Sequence, residues 1–298
     1  MRLEIRYVTE FVYPEPVRES HNLLRARPSD GRQNVINYHL VVEPEARVLS
    51  YRDYWGTWVD AFGIRGDHRA LAVAAESIVE TSEPEVPAAD HPVPFAAYGD
   101  LEVMLANHQY LQPSPHAAGN AAVEAVAREA VAGAGTAVDA VGAVHDTVVG
   151  ALTYEGGATY VGMDVAAVLD QGKGVCQDFA HLAIAMCRSV GIPARYVSGY
   201  LYAESQADGT MPVAPEVAIQ THAWFEAFVP GFGWWPLDPT NPFPVGERHI
   251  EIGHGRDYDD VMPLKGVYHG VPDHQLDVRV QISRDELSAL AVQQQSEQ

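Results

Sequence analysis

Apolar positions in the first 65 residues recur every second place. Ile36, Tyr38, Leu40 and Val42 alternate through "INYHLVVEP", and "LEIRYVTEFVY" and "YRDYWGTWVDAFGI" are rich in the same β-branched and aromatic residues. This pattern predicts an antiparallel meander, to which "LAVAAESIVETSEP" adds a strand. The period then stops in "EPEVPAADHPVPFAAYGD", a stretch rich in Pro, Ala and Asp. The expected division is an N-terminal antiparallel β domain over 1–85, a linker over 86–100 and a second domain over 101–298.

From Leu101 to Leu152 the period changes to three and four. "AVDAVGAVHDTVVGAL" reads as a core-facing helix, and Pro113, Pro115 and the "AGAG" at 132–135 mark breaks. A helical "DVAAVLDQ" follows, then "GKGVCQDFAHLAIAMCRSVGIPARYVSGYL", in which Phe179, Leu182, Ile184 and Met186 belong to a run that is apolar nearly all round. Such a helix is expected to be buried. Gly191 suits its left-handed C-cap, and Pro193 forbids continuation. The core of this domain is expected over 150–245, followed by a C-terminal β extension over 246–285 that contains "LDVRVQI". The last residues, "SALAVQQQSEQ", are expected to fray.

Composition narrows the partners. A formal charge of −21, from 40 acidic and 19 basic residues, disfavours nucleic acid and anionic membranes. The amino terminus lacks a signal-peptide core, and no stretch approaches the roughly 18 apolar residues that span a bilayer, so the expected location is cytoplasmic. Two cysteines, Cys176 and Cys187, fit a reducing compartment. Eleven helical residues at about 1.5 Å each separate them by about 16 Å, too far for a disulfide.

The two thiols differ in position. Cys187 lies mid-helix between Met186 and Arg188 and reads as core, whereas Cys176 follows Gly172, Lys173 and Gly174 at the start of the helix. Unpaired N–H groups and the helix dipole favour a thiolate there, and the N–H of Cys176 is a natural oxyanion donor. Tyr154 is the candidate for a second donor. A thiol nucleophile needs a base and the base an orienting group. His222 opens the strand-like "HAWFEAFV", followed by the turn "PGFG" and by "WWPLDPT", so a hairpin folded near Pro230 brings Asp238 opposite His222 to within a residue or two. The plainer reading keeps the hairpin as core, with Asp238 capping a turn before Pro239. Asp178 and His181 read as structural hydrogen-bonding residues. Trp224, on the His222 face by alternation, suits covering the site or packing beneath it. Gly199 and Tyr200 are placed in the cleft, Gly199 for close backbone approach. Cys176, His181, His222 and Asp238 are also metal-ligand types, but no CxxC, HxxxH or HExxH spacing occurs, so no metal is expected.

Taken together, "GVCQDFAHL", "HAWFEAFVPG" and "WPLDPTN" resemble the Cys, His and Asp motifs of the bacterial transglutaminase-like proteins of the papain-like cysteine protease superfamily. The segment from "LEIRYVTEFVYPEPV" to "DYWGTWVDAFGI" looks like the β-rich domain that precedes the catalytic core in one bacterial branch. The resemblance implies an α+β protein in which a helix bearing Cys176 packs on an antiparallel sheet bearing His222 and Asp238. It also implies Cys176 as nucleophile, His222 as base and then acid, and Asp238 as orienting carboxylate, without cofactor. The expected activity is thioester-mediated acyl transfer from an amide or isopeptide bond of a peptide or protein substrate. Hydrolysis is the first reading and transamidation the alternative; a non-catalytic interaction protein that keeps the fold is the third.

Overall fold

Burial follows the period of two at the start of the chain. In β1 (Arg2–Val17), Leu3, Ile5 and Tyr7 are buried and Glu4 and Arg6 are exposed. The computed structural model describes residues 1–203, 221–270 and 273–285, so "SALAVQQQSEQ" lies outside the described residues. After β1 come β2 (Ser20–Leu24), β3 (Gln33–Glu43), β4 (Leu49–Arg52), β5 (Trp58–Ile64) and β6 (His68–Thr81). Antiparallel pairing of β1 with β6 places Leu3 beside Val79 and Tyr7 beside Ala75, which lines one sheet face with apolar side chains.

The stretch over 86–100 does not behave as a tether. Tyr98 is buried, its hydroxyl donates to the Phe228 carbonyl at 2.8 Å, and Pro94 bridges to Thr136. The helices α1 (Leu101–Ala106), α2 (Ala121–Val131) and α3 (Ala137–Ala151) follow. Next come β7 (Thr153–Tyr154), α4 (Val165–Gln171), β8 (Lys173–Gly174), α5 (Cys176–Ser189) and β9 (Ala194–Leu201). Helix α5 is enclosed: Asp178 to Arg188 are all buried, between α2 and α3 on one side and the sheet on the other. That sheet runs β11 (Gly233–Leu237), β10 (Thr221–Val229), β9 and β12 (His249–Gly255), with antiparallel neighbours throughout. Together these form the expected α+β architecture, with helices packed on an antiparallel sheet.

The C-terminal extension departs from expectation. Beyond α6 (Tyr258–Val261), β13 (Leu264–Tyr268) pairs with β2, and β14 (Gln275–Arg284) pairs with β1 from Leu3↔Arg284 to Val12↔Gln275. Both strands therefore complete sheets of the first domain. The physical reason is edge closure, because β1 and β2 would otherwise each present an unpaired edge. The two units also share a core, since Tyr200, Ile250 and Ile252 of the second sheet pack with Leu3, Ile5 and Tyr7. Arg32 of the first unit reaches the buried Glu226 of β10 at 2.7 Å, and Arg195 reaches it from β9 at 2.5 Å.

Candidate active site

Asp178 builds the start of α5. Its Oδ2 accepts the Val175 N–H at 2.8 Å and the Thr159 hydroxyl at 2.6 Å, which ties the preceding turn and a neighbouring loop to the first helical turn. Gly174 makes room for this: a Cβ there would lie 2.7 Å from Cβ of Asp178. The turn thus delivers Cys176, half-buried and free, as the first residue of the helix. The Asp178 and Phe179 N–H groups donate to the Val175 carbonyl at 2.8 and 3.2 Å, whereas those of Cys176 and Gln177 precede the first helical acceptor and suit an anion.

His222 meets the thiol from β10. Cys176 is near enough to this ring to help hold its charge, and Nε2 lies 2.6 Å from Oδ2 of Asp238. Burial opposes a charge on this imidazole, but Asp238 and Cys176 outweigh it and push the pKa up to about 10. Asp238 is buried as well. Burial favours its neutral form, but the charge and hydrogen bond of His222, with help from His249, hold it well below the usual carboxylate range.

Both sequence readings of Asp238 describe part of what the side chain does. Oδ1 accepts the Thr240 N–H at 3.0 Å and the Thr240 hydroxyl at 2.6 Å, which is the turn-capping role. Oδ2 faces His222, and it also receives Asn241 Nδ2 at 2.7 Å and His249 Nε2 at 3.1 Å. Sequence reasoning missed His249 and Asn241. Asn241 stood inside the quoted "WPLDPTN", whereas nothing local marked His249 among 13 histidines.

His222, Asp238 and His249 place ligand-type atoms within 4.8 Å of one another. The Asn241 amide borders this group, 2.7 Å from Asp238 Oδ2 and 3.4 Å from His222 Nε2.

The remaining residues separate into two groups. Tyr154 is half-exposed, pairs with Gly174, packs 6.4 Å from the Phe179 ring and senses the charges of Cys176 and Asp238. Gly199 is paired with His222, and a Cβ there would meet the Ile250 carbonyl at 2.2 Å and the Trp224 ring at 2.6 Å. Trp224 is buried beneath the site, its ring 6.1 Å from His222 and 5.3 Å from His249. Tyr200 does not line the cleft: it is buried in the first domain's core, 6.4 Å from the Tyr7 ring, because strand alternation turns it away from Gly199. His181 is structural, accepting the Tyr258 N–H at 3.2 Å and stacking on Tyr196 at 4.8 Å. Burial drives its pKa down to about 3.

Residues 124–239 match the family described as Transglutaminase-like superfamily, and residues 3–80 match the Bacterial transglutaminase-like N-terminal region. The chain belongs to the transglutaminase-like superfamily. An uncharacterized protein of Mycobacterium leprae is 39% identical over 286 residues, which cover 95% of this chain and 99% of the relative. A more local likeness, 34% over 86 residues, joins this transglutaminase-like chain to a protein-glutamine gamma-glutamyltransferase of Pseudomonas aeruginosa, covering 29% of the former and 12% of the latter. Among solved structures, a candidate cysteine protease from Cytophaga hutchinsonii shares the fold with a TM-score of 0.71 at 20% identity, over 95% of this chain and 90% of that one.

Proposed function

We propose that this transglutaminase-like protein is a cysteine-nucleophile amidase acting on amide or isopeptide bonds of peptides or proteins. The observation that carries the reading is the His222–Asp238 pair, 2.6 Å apart, with the Cys176 thiol at the start of α5 close enough to act on the same imidazole. His222 holds the proton taken from Cys176, so the sulfur attacks the substrate carbonyl as a thiolate. The carbonyl electron pair moves to oxygen, and the N–H of Cys176 faces the resulting oxyanion, with Tyr154 the candidate second donor. Collapse breaks the C–N bond, the leaving amine takes its proton from His222, and a thioester remains. His222 then removes a proton from water as the water attacks the thioester, and the acid and free thiol are released.

Transamidation is the second reading, favoured by the local likeness to the Pseudomonas aeruginosa glutamyltransferase. It shares the first half-reaction and differs only in the acceptor. Glutamine-containing peptides incubated with a labelled primary amine separate the two. Release of ammonia or peptide amine without label supports hydrolysis, whereas label incorporation that competes with water overturns it in favour of the transamidase. Cys176 reacting with iodoacetamide no faster than a free thiol would sink both.

A further inference from the structure

We propose that His249 is a positioning residue for this site: as a neutral imidazole it donates its Nε2–H to Asp238 and keeps that carboxylate aligned on His222. The inference rests on the acyl-transfer reading given above and names a fourth side chain on which the reaction depends.

The proton position follows from backbone chemistry. The Gly246 N–H points at Nδ1 of His249 at 3.2 Å, which makes Nδ1 an acceptor and leaves the proton on Nε2. That nitrogen lies 3.1 Å from Oδ2 of Asp238, the oxygen that faces His222. The ring has little freedom. It is buried, its backbone N–H donates to the Gly246 carbonyl at 2.9 Å, and Trp224 and Phe243 lie edge-on to it at 5.3 and 6.0 Å.

Asp238 needs such support. The β10–β11 ladder ends at Phe225↔Leu237, so Asp238 stands past the last paired residue and before Pro239. Thr240 and Asn241 restrain the carboxylate from its own turn, and a shift of that turn would carry them along with it. His249 is different because it comes from β12, which is anchored in the sheet through β9. It therefore ties the turn to the sheet that carries His222. Among the described residues, the titratable groups facing His222 are Cys176 from α5, Asp238 from the turn and His249 from β12, whose ring lies 5.9 Å from that of His222 and which also acts through Asp238.

The test uses the full chain with substitutions at 249. His249→Leu removes the donor, His249→Gln restores an amide N–H near the Nε2 position, and His249→Asn places its amide too short to reach. With a glutamine or isopeptide substrate, Leu and Asn are expected to lower kcat about 10- to 100-fold with KM little changed, and Gln to recover most of it. The alkaline limb of kcat should move to lower pH in the two defective variants. In a Cys176→Ala background, NMR titration of His222 should show the same downward movement without needing turnover. A wild-type melting temperature together with unchanged kcat and unchanged His222 titration in His249→Leu overturns the proposal. If the Leu variant does not fold, identical behaviour of Gln and Asn overturns it instead. A wild-type chain that turns over no amide removes the functional reading, while the His222 titration still decides the role of His249.

Discussion

Asp238 and His222 touch at 2.6 Å although the hairpin does not pair them. With Phe225 opposite Leu237, the β10–β11 register carries Asp238 to the level of Trp224, so the carboxylate reaches diagonally to His222 across the end of the ladder. The contact is made by side chains at a free strand end, and it is held by the turn and by β12 rather than by backbone pairing.

The two thiols are expected to react differently. Cys187 is fully buried, and burial pushes its pKa up to about 12, whereas Cys176 is only partly buried. Alkylation of the folded chain at neutral pH, followed by peptide mass spectrometry, should label Cys176 alone. Cys176→Ala should abolish turnover with the melting temperature retained, and Cys187→Ser should keep the site intact while losing stability in the core.

Asp238→Asn keeps the shape of the side chain but turns part of it into a donor, and it removes the charge that holds His222 protonated. Steady-state kinetics should show kcat lower by about 10³–10⁴-fold. Thr240→Val leaves Oδ2 untouched and should cost far less, so near-equal losses in the two variants would remove the distinction between the two oxygens.

The pH dependence follows from His222. Its pKa is raised to about 10, so the stability that its charge contributes is fully present below the ordinary imidazole value of about 6.5 and is lost as pH rises through 10. Asp238 is shifted the other way. Its contribution is present above the ordinary carboxylate range and is lost as pH falls below it. Activity and melting temperature measured between pH 6 and 11 should therefore fall together near pH 10, and Asp238→Asn should move the activity limb downward.

Gly199→Ala places a methyl group against the Ile250 carbonyl and the Trp224 ring. Overpacking of this kind costs about 1–3 kcal/mol, and here the ring displaced supports both His222 and His249. Denaturant melts should show the loss of stability, and kcat should fall by more than the unfolded fraction explains.

The parts of this molecule with local punctuation were legible. The Gly-flanked start of α5 and the Pro193 stop bounded the helix, and "PGFG" located the hairpin, so the positions of Cys176, His222 and Asp238 could be read from spacing. Tyr200 was assigned to the wrong side because β9 is buried on both faces, which leaves alternation without a polar phase to orient it. His249 could not be found because its role depends on β12 lying beside β9, and strand order is set by long-range packing. The same holds for β13 and β14, whose sequences show strands but not their distant partners.

The pairing of Leu3 with Arg284 also imposes an order of assembly. During synthesis the first strand emerges long before the strand that covers its edge, and the entire helical and catalytic unit is made in between. The unit encoded first therefore cannot be completed until the residues through Arg284 have left the ribosome, and the β1 edge that β14 covers stays open until then.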